Sequence, residues 1–447
     1  MKKVVLFSVL ILSRIMCVIA QDHTQELLNL LMRDDFINAR VYYQNYTANI
    51  DEEGEIFYKY KMSYYLNKLD SAAFYLEKFM RESPSFANNE SEKLFLYNLL
   101  IGLYNDAENH RKLVDTYDAV AQLIENSNSI NDTVWKKNQL SAISNFINQA
   151  KMKISVPSLQ VIKYKKVIAP VNLQDDNAFI TTNAEFNGVP LKTVFDTGND
   201  YYIVISKKKA NQCHFSDIAM QTDSVPLNGT MVMANYVLVD SIKVGSVLFK
   251  NVPAFVLDDD ILSLPADTSF YSFDAIIGLP LMRQLGSISL DWKNKKMVLN
   301  VKEDVATSNA EPNMYLSDRR MYLGLSINNN EFVGFVDTGN CYSLININPD
   351  FYTKNSSSIF LHPEKQERGI AGLTSVDKSA KYKFVCDANI IYDHKQILLK
   401  ESSDCIVWLD KPMPEGLWKD GLIGLLFFKR LGSNIKLDFV NMRIESE

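Results

Sequence analysis

The sequence predicts an α+β multidomain chain, with an N-terminal all-α helical domain followed by an all-β domain built as two lobes. Three observations carry that reading. The texture of the chain changes near residue 155, from apolar residues at three- and four-residue spacing to short β-branched and aromatic runs. The tetrapeptide Asp-Thr-Gly-Asn occurs twice, at Asp196-Thr197-Gly198-Asn199 and Asp337-Thr338-Gly339-Asn340, each time ending a strand-like apolar run. The segments around the two copies also repeat each other, which points to a duplication.

The N-terminus reads as an address. Lys2-Lys3 is a short basic region, Val4 to Leu12 is an apolar run of signal-peptide length, and Val18-Ile19-Ala20 before Gln21 offers a cleavage point. Residues 1–20 are therefore expected to be a signal peptide and the chain to be exported, periplasmic or secreted. Across the 447 residues, 47% are apolar and 22% charged, ordinary for a globular chain with a sizeable core. A formal net charge of -6 gives no reason to expect nucleic acid as a partner. No later run approaches the roughly 20 apolar residues that span a bilayer, so no integral membrane segment is expected after signal cleavage.

Residues 22–155 form the expected helical domain. Leu27, Leu30, Leu31 and Ile37, then Tyr75, Leu76 and Phe79, recur at helical spacing. The pattern predicts helices near 24–50, 54–83, 91–126 and 132–151. Asp51 to Pro84 faintly resembles one tetratricopeptide unit, with Ala72, Leu76, Phe79 and Pro84 at suitable positions. The match is poor, and the domain reads as a plain helical bundle with a structural role; the alternative is a repeat array that offers a surface for a protein partner.

Beyond Pro157 the chain reads as two β lobes, 160–302 and 313–447. Asn187 sits nine residues before Asp196, as Asn328 sits nine before Asp337. Ile276-Ile277-Gly278-Leu279 is answered by Leu422-Ile423-Gly424-Leu425. Leu285-Gly286-Ser287 and Leu431-Gly432-Ser433 follow them at the same offset. By chance, one Asp-Thr-Gly in a chain this long has an expectation of very roughly 0.1, so a matched pair in matched contexts argues for a function.

These residues resemble the aspartic peptidases of the pepsin and retropepsin type, over roughly the last two thirds of the chain. The resemblance rests on Asp-Thr-Gly in each lobe with the later Ile276-Ile277-Gly278 and Leu422-Ile423-Gly424 segments. Lobe one also looks like exported bacterial relatives through Asp240-Ser241-Ile242-Lys243-Val244-Gly245 and Leu248-Phe249-Lys250-Asn251-Val252-Pro253. It implies an all-β bilobal aspartic-protease-like domain with Asp196 and Asp337 as catalytic residues. Thr197 and Thr338 are then expected to reach across to the opposite turn. Ile277, Gly278, Ile423 and Gly424 are expected to buttress the turns. Asn199 and Asn340 depart from the Ser, Thr or Ala usual after the glycine in this family, and each can donate or accept beside a carboxylate.

Two carboxylates a few ångströms apart resist simultaneous ionisation and share a proton, an effect for which the aspartic-protease pair is the standard example. The expected function is thus an exported aspartic endopeptidase acting on a peptide or protein substrate with an activated water. The alternative is a catalytically inactive peptide- or protein-binding protein on the same fold. Gly198 and Gly339 allow tight turns that bring amides to the carboxylates. A β-hairpin flap is expected within Gln221–Val239, with Asn228-Gly229 as its turn and Tyr236 as a candidate substrate contact; Gly372 marks the equivalent place in lobe two. No cofactor and no metal site is expected: the five His form no ligand cluster. Cys213, Cys341, Cys386 and Cys405 are open to disulfide pairing, most easily Cys386 with Cys405, or to a role as buried thiols.

Overall fold

In a computed structural model, the described residues are 23–446 apart from 84–88, 128–131, 166, 175–178, 216–221, 228–229, 260–272, 363–365, 368–369, 372–375, 378–380, 401–403 and 410–418. The expected signal peptide lies outside them. The chain divides into two compact units, Met1–Ser158 and Leu159–Glu447. The first is helical among its described residues and the second is β-rich, the two-part α+β architecture expected from the sequence.

The helical unit corrects one expectation. The three longest predicted helices are each two helices: His23–Met32 and Phe36–Tyr46, Glu52–Tyr65 and Leu69–Glu82, Glu90–Asp106 and His110–Asn126. Each break carries a left-handed residue that is not glycine, Asp34 (φ 52°), Asn67 (φ 58°) or Glu108 (φ 53°). The apolar spacing runs through the breaks because both helices of a pair feed the same core, so periodicity alone conceals them. The Asn- and Asp-rich composition has a local use here. Asp35, Asp51, Asn89, Asn109 and Asp132 each cap a helix by accepting from a first-turn amide. The fourth helix, Thr133–Ser155, runs past its expected end. Leu31, Phe36, Tyr65, Leu76 and Phe79 are almost wholly buried. No helix among the described residues is long and apolar enough to cross a membrane.

In the β unit, the duplication seen in sequence recurs in strand pairing. Val189–Asp196 pairs antiparallel with Ile180–Phe186 and parallel with Ala275–Gly278, setting Asp196 opposite Gly278. Asn330–Asp337 pairs antiparallel with Arg320–Ile327 and parallel with Gly421–Gly424, setting Asp337 opposite Gly424. In each half, the strand after the Asp-Thr-Gly turn, Ile203–Ser206 or Ile345–Ile347, returns antiparallel along the same glycine-ended strand. The two halves meet in a five-stranded sheet, where Ser287–Asp291 pairs with Asn434–Asp438.

The repeated asparagines explain themselves in this frame. Asn187 (φ 46°) and Asn328 (φ 49°) sit left-handed in the hairpin turns that lead into the two aspartate strands. Each also bonds a neighbouring strand: Asn187 Oδ1 accepts from the Ser241 amide at 3.0 Å, and Asn328 Oδ1 from the Asn389 amide at 2.7 Å. One side chain therefore serves both turn and register.

All four described cysteines are free thiols, so the Cys386–Cys405 pairing does not form. Burial pushes the Cys213 thiol up to about 11 and the Cys405 thiol up to about 12, which keeps both protonated and unreactive.

Candidate active site

Asp196 and Asp337 are the last residues of two equivalent strands, and the turns that follow bring their carboxyls together. Gly198 N–H donates to Asp196 Oδ1 at 2.8 Å, and Asn340 N–H donates to Asp337 Oδ1 at 3.2 Å. Gly339 N–H donates to both inner oxygens, Asp196 Oδ1 at 3.0 Å and Asp337 Oδ1 at 2.9 Å. The glycines matter for space. A Cβ on Gly198 would press on the Asp337 carboxylate, and one on Gly339 would lie 2.6 Å from Asp196 Oδ2.

The threonines between them are buried and lock the turns to each other. Thr197 N–H donates to Thr338 Oγ1 and Thr338 N–H donates to Thr197 Oγ1, both at 3.0 Å. Their hydroxyls then donate across the pseudo-dyad, Thr197 Oγ1 to the Val336 carbonyl at 2.9 Å and Thr338 Oγ1 to the Phe195 carbonyl at 3.0 Å. Four bonds between the halves therefore sit directly beneath the two carboxyls.

Burial raises both carboxyls above the ordinary aspartate range. For Asp196 that effect is opposed by the Gly198 and Gly339 amides and by a hydrogen bond with Asp337. Asp337 is raised further by the neighbouring Asp196 charge and by the same hydrogen bond between them. Each group acts on the other's titration, so they titrate as a pair and resist simultaneous ionisation.

Gly278 and Gly424 pass close behind the turns. A Cβ on Gly278 would collide with the Tyr201 carbonyl, and one on Gly424 with the Ser343 carbonyl. The next residues bond the turns directly: Leu279 N–H donates to the Asn199 carbonyl at 3.1 Å and Leu425 N–H to the Asn340 carbonyl at 2.8 Å. Ile277 and Ile423, one residue earlier, are buried in the flanking strands.

Asn199 and Asn340 do not turn to the carboxylates. Asn199 Oδ1 accepts from Tyr201 N–H at 3.1 Å, and Asn340 Oδ1 accepts from Tyr342 N–H at 3.3 Å. Both close the backbone of their own turns, the local bonding that asparagine side chains favour. They differ at the other end. Asn340 Nδ2 donates to Ser343 Oγ at 2.9 Å, whereas Asn199 Nδ2 is buried with no partner among the described residues.

The segment expected to carry the flap contains a β-hairpin. Thr222–Leu227 and Thr230–Val244 pair as a hairpin with Leu227 opposite Thr230. The turn residues Asn228 and Gly229 lie outside the described residues, and so does Gly372. Tyr236 stands on the hairpin's second strand, with its ring edge-on to Phe255 at 5.4 Å. Phe255 in turn meets Tyr201, in the loop after the first turn, at 4.7 Å. Tyr236 is therefore joined to the site through two rings.

Sequence reading missed Asp200 and Arg320. Asp200 follows Asn199 directly and pairs with Arg320 Nη2 at 3.2 Å, from the strand Arg320–Ile327 of the other half. The partners lie 120 residues apart, and no local pattern joins them.

Comparison with known proteins bears on part of this unit. No curated protein matches the chain. Among solved structures, a retropepsin-like aspartic protease from Rickettsia conorii matches at 22% identity over 32% of this chain and 94% of its own. Its TM-score of 0.23 is too low to carry an argument about fold. The model of an aspartyl protease family matches residues 182–281, the span that carries Asp196, its turn and the Ile276-Ile277-Gly278 buttress.

Proposed function

We propose that the chain is an exported aspartic endopeptidase that hydrolyses peptide bonds with a water activated between Asp196 and Asp337, one aspartate from each half. One observation carries the reading: Gly339 N–H donates to one oxygen of each carboxyl, Asp196 Oδ1 and Asp337 Oδ1, which sets two partly buried acids side by side, an arrangement in which two carboxyls share one proton. The aspartyl protease family match over 182–281 supports it for the first half.

The chemistry follows from the pair. The ionised carboxylate takes a proton from a water, and the water oxygen bonds to the substrate's peptide carbon. The protonated partner donates a hydrogen bond to the carbonyl oxygen as charge develops there. The C–N bond then breaks as the leaving amine takes a proton from the pair, which restores the starting state.

The test is cleavage of a diverse peptide library at about pH 3–7 by the wild type, Asp196→Asn and Asp337→Asn. Each substitution is expected to lower kcat by about a thousandfold or more. Activity unchanged by either removes the assignment, and a silent wild type favours a binding protein on the same fold. Export belongs to the same proposal and rests on Lys2-Lys3, the apolar run Val4 to Leu12 and the small side chain of Ala20. A mature product beginning at Gln21, read by N-terminal sequencing, would support it.

A further inference from the structure

Side chains two residues apart on a strand share a face, and so do residues directly opposite on neighbouring strands. Phe335 is thus on the face of Asp337, which ends the same strand. From Phe335 a row runs across the sheet through Leu422, Asn346, Ile406 and Phe384, each opposite the one before. The first half has a matching row, from Val194 through Ile276, Val204 and Phe255 to Tyr236.

At the third place the rows differ in kind. Val204 belongs to an apolar cluster with Ala234, Leu257 and Ile276, and its counterpart is Asn346. Asn346 is 5% exposed, and its Oδ1 has no hydrogen-bond partner among the described residues. Trp408 stands two residues beyond Ile406 and so on the same face, where the first half has Leu257. It is 4% exposed, its ring is edge-on to Tyr382 at 5.3 Å, and its indole N–H also has no partner among the described residues. Buried polar atoms without partners are costly and uncommon. Here an acceptor and a donor stand on adjacent strands of one face, where the other half has valine and leucine. Both are free to bond a group that arrives from outside the chain.

We propose that Asn346 and Trp408 are specificity-determining residues, which together make a polar subsite on the Asp337 side that receives the carboxamide of a substrate glutamine or asparagine. This rests on the peptidase reading. The substrate amide N–H donates to Asn346 Oδ1, and its oxygen accepts from Trp408 Nε1. An aliphatic side chain leaves both atoms unsatisfied, and a carboxylate brings a charge into an aromatic cluster that includes Tyr382 and Phe384. The first half, with Val204 and Leu257 in the same places, takes an apolar side chain instead. A peptide lying across the aspartate pair meets the two halves on opposite sides of the cut bond, so the amide preference falls on one side only.

Peptides identical except for Gln, Leu or Glu at one position test this on the full chain, Asn346→Val and Trp408→Phe. The wild type should prefer Gln to Leu by about tenfold or more in kcat/KM at a position on one side of the cut. Asn346→Val, which copies the first half, should bring that ratio to about one, and Trp408→Phe should lower it. Each ratio is taken within one variant, so a general loss of activity does not imitate the effect. Binding needs no cleavage: hexapeptides with Gln or Leu at each position in turn, titrated against Asp196→Asn, should show the same preference, lost when Asn346→Val is added. A polar group buried for a ligand weakens the empty fold, so Asn346→Val should melt at or above the wild type. A chain that cleaves nothing yet binds the Gln peptides preferentially removes the peptidase reading and keeps the subsite. Cleavage with the same Gln-to-Leu ratio in wild type and Asn346→Val keeps the peptidase and overturns the subsite. A lower melting temperature in Asn346→Val with both preferences unmoved also overturns it, since the amide then serves only a buried water.

Discussion

Thr197 and Thr338 exchange hydrogen bonds reciprocally, each amide donating to the other's hydroxyl at 3.0 Å across 141 residues of chain. Both residues are buried, so removing one hydroxyl leaves an amide and a carbonyl without partners away from water. Thr338→Val should then destabilise the β unit by about 2–4 kcal/mol, and Thr197→Val by a similar amount. Because they break one network, the double variant should lose clearly less than the sum. Urea denaturation of the four-member cycle measures this; full additivity would show the contacts to be independent.

The aspartate pair makes a prediction with a definite sign. Burial raises both carboxyls, and Asp337 further through the Asp196 charge. A carboxyl raised on folding contributes stability below its unfolded pKa, and that contribution is lost as pH rises through the folded value. At neutral pH the pair is therefore a liability, and Asp337→Asn should stabilise the chain by about 1 kcal/mol at pH 7 and by less in acid. Thermal unfolding at two pH values decides it. Peptide cleavage should fall as pH rises through the pair's upper titration, because the protonated partner disappears.

Gly278 and Gly424 are needed for room and not for unusual dihedrals, since φ is -92° and -89°. An added methyl meets the Tyr201 or Ser343 carbonyl, which cannot swing aside as a side chain does. Gly278→Ala and Gly424→Ala should each cost about 2 kcal/mol or more and reduce cleavage by shifting the turns. A chemical denaturation midpoint equal to wild type would refute this.

Asp438 provides a contrasting pH effect. It is fully buried, and burial alone would raise it. Lys436 Nζ at 2.8 Å and the Asn441 amide at 2.9 Å outweigh that and hold it below the ordinary range. A depressed carboxyl contributes stability above its unfolded pKa, lost as pH falls through the folded value. Asp438→Asn should cost about 3 kcal/mol at pH 7, with the gap to wild type closing as the pH drops below the usual carboxylate range. Paired unfolding curves at neutral and acid pH would show it.

Some of the chain could be read directly. The helical-then-β order follows from a change of period near residue 155, because period reports which faces are buried. Asn187 and Asn328 could be seen as a repeat, but their second task, bonding Ser241 and Asn389 on neighbouring strands, could not. The helix breaks at Asp34, Asn67 and Glu108 escaped because left-handed residues there are not glycine. The asparagines after each Asp-Thr-Gly looked like possible neighbours of the carboxylates, yet their own turn amides are closer partners.

By itself, the sequence determined the α+β order of the chain and two equivalent Asp-Thr-Gly turns at the ends of two apolar strands. These are local matters, set by side-chain period and by the few residues that fit a turn. The tertiary structure alone decided that Thr197 would meet Thr338, that Gly339 would serve both carboxyls, and that Arg320 would reach Asp200. Such contacts depend on strand order and register between segments more than a hundred residues apart, which no local pattern encodes.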